Sequence, residues 1–150
     1  MASGLSNFFI NKVVDAAFRG QSYTFPSTVY VAVCTGTCTA ATAVGEVTTG
    51  TFSRIAVASS LANWSGTQGA GTTAVSSGTT RTISNNSIVS YGAGTATASV
   101  GTLTYLALFD AASGGNYLGY ASLSTQRVIT SGDPMPRFSA NALQISLPVT

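Results

Sequence analysis

The chain has 150 residues, 45% of them hydrophobic, with six basic and four acidic side chains and no histidine. This length and hydrophobic content predict one folded domain, 1–150, and exclude a disordered chain. The charge content lies several-fold below the average for proteins, so groups for proton transfer are scarce and no basic run follows a phosphate backbone. No apolar run reaches the ~18 residues that span a bilayer. We therefore expect neither nucleic acid nor membrane as a partner, and a surface largely covered by protein.

Residues 5–19 form the one predicted helix, preceded by a short uncharged arm, so that arm and helix together occupy 1–20. The spacing of its apolar side chains is typical of an amphipathic helix. This stripe comprises Leu5, Phe9, Val13 and Ala16. Ser3 or Ser6 is a candidate N-cap, and Gly20 has the place of a left-handed residue that ends a helix.

The remaining residues, 21–150, are predicted to form a β-sandwich. Residues 29–34 are apolar on both faces, which predicts a central strand, and 65–80 is a Gly/Thr-rich segment predicted to be a flexible loop. The further strands are predicted at 46–57, 61–64, 80–83, 87–91, 97–109, 117–123, 127–130 and 138–147. Residues 103–109 and 117–123 are predicted to pair as a hairpin.

About eight short strands separated by Gly, Ser and Asn turns are typical of antiparallel sandwiches and jelly rolls. The predicted fold class is therefore mainly β: an antiparallel β-sandwich or jelly-roll-like domain with one N-terminal amphipathic α-helix.

Metal and cofactor sites are not expected from this sequence. Cys34 and Cys38 are the only cysteines, and without histidine or another soft ligand they do not make a zinc site. We predict two reduced thiols, with a local disulfide as the alternative. The sequence contains neither an acidic cluster typical of calcium sites nor a phosphate-binding glycine motif.

Catalysis is not expected either. Asp110 and Asp133 flank turns, where aspartate commonly bonds its own backbone, and Glu46 and Arg54 are placed to pair across a bend. A Ser–Lys pair would have to use Lys12, the sole lysine, on the polar face of the helix. The remaining enzymatic alternative is a glycan-cleaving enzyme that uses Asp110 and Asp133.

The candidate interface residues are large apolar side chains on the helix or outside the main strands: Leu5, Phe8, Phe9 and Trp64. The favoured interpretation is that the helix stripe covers one end of the sandwich. The alternative is that Phe8 or Phe9 docks onto a neighbouring subunit, with the first residues lying along a partner. Trp64 is expected to be a core or interface anchor, with a sugar-binding platform as the alternative.

Three segments together carry a family resemblance. LSN at 5–7, a short helix and YTFPSTVYVAV at 23–33 match a "tyt.P.tlyvaL" pattern, and GEV at 45–47 leads to FSR at 52–54, where Phe52 replaces the usual Tyr. YLALFDAASGGN at 105–116 is similar to a "gifDaasGGn" hairpin. These elements resemble a family of small tailed-bacteriophage virion structural proteins, from whose pattern the chain departs at about 61–100.

The resemblance implies a non-enzymatic virion protein, since family members are either capsid cement (decoration) proteins or tail-fibre-like proteins. We expect a capsid cement protein that binds the outside of the head and stabilises contacts between major capsid subunits by mass action. The expected partners are the major capsid protein and copies of the chain itself, as a homo-oligomer and specifically a trimer. The expected location is the virion, after synthesis in the host bacterial cytoplasm. The alternative is a tail fibre or tail-tip protein that binds the host surface.

Overall fold

The computed structural model describes residues 2–147, which contain nine strands and one helix that follows the first strand. In chain order these are β1 (Ser3–Leu5), α1 (Asn7–Phe18), β2 (Thr28–Cys34), β3 (Ile55–Ala58), β4 (Thr82–Ser84), β5 (Val89–Ser90), β6 (Gly101–Phe109), β7 (Tyr117–Ile129), β8 (Arg137–Phe138) and β9 (Gln144–Ser146). Residue 1 and residues 148–150 of the predicted domain 1–150 lie outside the described residues.

The main sheet has five strands in the order β1-β7-β6-β2-β3, and every neighbouring pair is antiparallel. β2 lies between β6 and β3, and alternation along the strand sends Val31 and Val33 to one face and Ala32 and Cys34 to the other. All four side chains are buried. The prediction of a central strand covered on both faces is confirmed.

One face of the main sheet packs against two small antiparallel ribbons, β4–β9 and β5–β8. Val89 and Ile145 of the ribbons share one buried cluster with Val31, Val33 and Leu106 of the sheet. The chain is thus mainly β with antiparallel pairing and one N-terminal helix, and the predicted fold class is confirmed.

The opposite face carries a smaller cluster of five buried residues: Ala32, Cys34, Cys38, Ala107 and Phe109. Four partly buried tyrosines pack around it: Tyr30, Tyr105, Tyr117 and Tyr120. Both cysteines are buried and free, in agreement with the prediction of reduced thiols.

The start of the chain differs from the prediction, because residues 3–5 form an edge strand against β7 and the helix begins only at Asn7. Ser6 is the N-cap: its hydroxyl accepts from the Phe9 N–H and donates to the carbonyl of Tyr117, which fastens the helix start to β7. At the other end Gly20 has φ of +68°, as expected for the residue that ends the helix.

Several strand boundaries also differ. The predicted strands at 117–123 and 127–130 are one continuous strand, β7, which ends at Ile129. The register shifts by three residues where Leu103 pairs with Arg127 and Tyr105 with Ser122, which marks a bulge in β7. The predicted strand at 61–64 is wrong: this segment is a turn that makes a single bridge, and 65–80 contains no strand. The extended region predicted at 46–57 is a strand only from Ile55, although Glu46 bridges Cys34.

Candidate functional site

Three of the four predicted interface residues meet in one cavity, which we call the apolar groove. Leu5 comes from β1, Phe9 from α1 and Trp64 from the turn before the Gly/Thr-rich loop, and the cavity has a volume of about 280 Å³. The complete lining is Leu5, Phe9, Phe25, Pro26, Val29, Ser59, Trp64, Ile83, Leu108, Leu118 and Ile145. Almost every atom it presents is apolar, so it suits an apolar side chain.

The position of each residue in the apolar groove follows from the local structure. The Ser6 cap fixes the first turn of α1 and with it Phe9, while Leu108 and Leu118 project from paired strands of the sheet. The indole Nε1 of Trp64 is buried and has no acceptor among the described residues.

Phe8, the fourth candidate, lies outside the apolar groove. Its ring packs edge-on against Tyr23 at 6.4 Å between centroids, and the ammonium of Lys12 lies 5.7 Å from its centroid. Phe9 contacts Tyr23 and Phe25 in the same way, at 6.2 and 6.1 Å. Both phenylalanines therefore pack against their own chain, and docking onto a neighbour stays a prediction.

A different face of α1 is exposed and apolar. Ile10, Val14 and Phe18 recur at four-residue steps, so they lie along one side of the helix, and Phe18 is 84% exposed. We call these three residues the outer stripe of α1. The i, i+4, i+8 spacing of the outer stripe is visible in the sequence, but the prediction rested on the Leu5/Phe9/Val13/Ala16 stripe alone.

The predicted pairing of Glu46 with Arg54 is confirmed. Arg54 donates from Nε and Nη2 to the two carboxylate oxygens of Glu46 at 2.6 and 2.9 Å. Its Nη1 donates to the carbonyls of Ala111 and Gly114 at 2.8 and 2.7 Å, and its guanidinium lies 3.5 Å from the ring centroid of Phe109. Arg54 thereby holds the turn between β6 and β7 in place.

Asp110 and Asp133 lie at opposite ends of the β6–β7 pair. Asp110 follows the last residue of β6 and bonds Asn116, while Asp133 accepts from the N–H and hydroxyl of Thr130 at 2.7 and 2.8 Å. Those two hydrogen bonds lower the pKa of Asp133. The nine residues of β6, at ~3.3 Å each, separate the two acids by about 30 Å, whereas paired glycosidase carboxylates lie roughly 5–9.5 Å apart. The structure does not bring them together for glycan cleavage.

The two cysteines are buried in one cluster on the second face of the sheet. Their interaction raises the pKa of Cys34 and lowers that of Cys38. Within residues 2–147 no group of three His, Cys, Asp or Glu side chains is placed to hold a metal ion.

Comparison with known proteins bears directly on the virion interpretation. A family model described as podophage GP4 fiber I protein gp80 matches residues 4–146, from β1 to the end of β9. The chain belongs to this podophage fibre family. It is therefore a bacteriophage virion structural protein, and the resemblance to small tailed-phage virion proteins is confirmed. A search of curated proteins finds no match.

The family also implies a virion location. Across the described part of the chain, no helix combines the length and the apolar character needed to cross a membrane.

Proposed function

We propose that the chain is a structural subunit of a phage tail fibre. The observation that carries the proposal is the match of residues 4–146 to a fibre protein family. This match favours the tail-fibre alternative over the capsid cement protein that the sequence analysis preferred. A cement role, with the major capsid protein as partner, stays a prediction that the comparisons do not support.

A non-enzymatic role is part of this proposal. Each of the four acids is engaged in a contact within the chain that accounts for its position. Asp15 pairs with Arg19, Glu46 with Arg54, Asp110 with Asn116 and Asp133 with Thr130. Such contacts match the structural roles that aspartate and glutamate commonly have at turns and in ion pairs.

Self-association through the outer stripe of α1 is the contact we propose between subunits. Ile10, Val14 and Phe18 lie along one side of the helix and are 37%, 42% and 84% exposed. Exposed apolar patches mark interaction sites, and most soluble oligomers are symmetric assemblies of identical copies. A homo-oligomer follows, and the trimer remains our expected state.

Gold-labelled antibody raised against the recombinant chain and applied to purified virions tests the location. An antibody against the major capsid protein is the matched control for the head. The proposal predicts a few gold particles at the tail and none over the head surface. Dense labelling over the head, matching the control, would contradict it and favour the cement role.

A further inference from the structure

A second groove lies beside the apolar groove and differs from it in chemistry. It is formed by residues 22–28, which connect α1 to β2, together with Tyr30 on β2 and with Asp110 and Asn116 at the turn between β6 and β7. Its volume of about 670 Å³ lies within the roughly 300–1,000 Å³ of small-molecule sites. We call it the aromatic–polar groove.

Aromatic rings form one side of the aromatic–polar groove. Tyr23 and Phe25 meet edge to face with centroids 4.9 Å apart, and this contact fixes both rings. Phe25 is 55% exposed. Its ring is therefore accessible to a ligand that binds in the groove. The C–H face of a pyranose ring packs well on such a surface, because the π face of an aromatic ring is electron-rich.

Asp110 and Asn116 supply hydrogen-bonding groups on the other side. The two carboxylate oxygens of Asp110 accept from the backbone N–H and from Nδ2 of Asn116, at 2.6 and 2.7 Å. Each oxygen keeps a second lone pair, and Nδ2 keeps a second N–H. The Oδ1 of Asn116 accepts no hydrogen bond from the described residues. The pair thus offers acceptors and a donor to neighbouring hydroxyl groups.

The turn that carries Asp110 is built in advance. Gly115 has φ of +70°, and a Cβ there would lie 2.5 Å from Oδ1 of Asp110, so only glycine lets the carboxylate fold back over the turn. Arg54 fixes the same turn through the carbonyls of Ala111 and Gly114. A rigid site loses little conformational freedom when a ligand binds.

The charge of the aromatic–polar groove restricts the ligand. Asp110 is the single charged residue in its lining, so an acidic sugar would meet a like charge. Burial and, after it, the negative charge of Asp110 raise the pKa of Tyr23. A tyrosine phenol is protonated at neutral pH even without such a shift. The groove then combines neutral hydroxyl donors with a single carboxylate acceptor.

We propose that the aromatic–polar groove binds a neutral saccharide, with a pyranose ring on Phe25 and Tyr23 and its hydroxyls on Asp110 and Asn116. This proposal rests on the proposed tail-fibre function, because a fibre would meet the saccharide as part of a glycan on the host surface. The contact would give the fibre a specific attachment to the cell.

Titration of the full chain with oligosaccharides, followed by saturation-transfer NMR and calorimetry, tests the site. The probes are neutral oligomers of N-acetylglucosamine, glucose and rhamnose, with a galacturonic acid oligomer as the acidic counterpart. We expect a neutral oligomer to bind and the acidic one not to bind. Failure of all the neutral probes, or preferential binding of the acidic one, would overturn the proposal.

Variants locate the binding. F25A is expected to weaken it at least tenfold, roughly the loss of one ring contact, and D110N to weaken it by about fivefold because an amide replaces the stronger charged acceptor. I88A is the control, since it truncates an exposed apolar residue outside both the groove and the outer stripe of α1, and it should leave affinity unchanged. Circular dichroism verifies that each variant folds. Equal affinity of F25A, D110N and I88A would place the saccharide elsewhere and contradict the assignment.

The gold-labelling experiment separates the two proposals. Labelling at the tail with no saccharide binding would overturn the saccharide site and leave the fibre function standing. Labelling over the head would overturn the fibre function, whatever the chain binds in solution.

Discussion

We predict that removing the Arg54 side chain destabilises the fold far more than removing any other basic side chain. Its side chain is 8% exposed and that of its partner Glu46 22%. R54A deletes two hydrogen bonds to a carboxylate and two to backbone carbonyls. It leaves Glu46 without a partner and the carbonyls of Ala111 and Gly114 without donors.

The magnitude follows from how deeply the pair is buried. Breaking a buried ion pair by removing one partner costs about 3–5 kcal/mol, and the partial exposure of Glu46 brings the expected loss to about 3 kcal/mol. For a domain of this size such a loss lowers Tm by roughly 6–12 °C. R19A is the matched control, because Arg19 and Asp15 form the same kind of pair with side chains 71% and 32% exposed. It should cost at most about 0.5 kcal/mol.

Urea unfolding followed by the fluorescence of Trp64, the sole tryptophan, measures both losses. The double variant E46Q/R54A completes a thermodynamic cycle, and we expect a coupling energy of at least about 1 kcal/mol between Glu46 and Arg54. Equal losses for R54A and R19A, or strictly additive effects of E46Q and R54A, would refute the reasoning.

Three further predictions concern other parts of the chain. N85A should lower the free energy of unfolding by about 3 kcal/mol, measured by urea unfolding, because the buried Asn85 side chain bonds the backbone of Ser87, Ser139 and Leu143. F18S should shift the protein towards monomer in light scattering without changing Tm. I88S, which alters another exposed residue, should leave the oligomer intact. An unchanged oligomer in F18S would exclude the outer stripe of α1 as the contact. Cys34 and Cys38 should be inert to a thiol reagent in the native protein and both react in denaturant, because their side chains are buried; one rapidly reacting thiol in the native state would contradict their placement.

The sequence was sufficient to predict the elements whose signals are local. The apolar run at 29–34 predicted a central strand, and the small, flexible residues at 110–116 predicted the turn of the β6–β7 hairpin. The predicted N-cap was Ser3 or Ser6, of which the structure uses Ser6, and Gly20 ends the helix as predicted; capping signals depend on single residues. These predictions needed no knowledge of distant parts of the chain.

The elements that were missed depend on distant pairing. β1 has three residues and exists because Ser3–Leu5 pair with Gly119–Ala121, more than a hundred positions along the chain. Where a strand was predicted at 61–64, Trp64 makes only a single bridge to Asn85, and Asn85 and the neighbouring Ser65 are buried polar residues. Short strands of this kind are specified by packing and pairing and hardly by intrinsic propensity.

The candidate surfaces were predictable only in part. Leu5, Phe9 and Trp64 stood out as large apolar side chains outside the main strands, and the fold brings them together in the apolar groove. The aromatic–polar groove escaped prediction, because Phe25 lies in a segment read as the approach to a strand and Asp110 in one read as a turn. Their proximity depends on the pairing of β2 with β6 and thus on the tertiary fold.

Cryo-electron microscopy of intact phage particles tests the central claim, that this chain is a tail-fibre subunit, most directly. We predict that the five-stranded sheet with its N-terminal helix fits density in fibres attached to the tail, with neighbouring copies in contact through α1. Density for the same domain at repeated positions over the head lattice, with none in the tail, would contradict it.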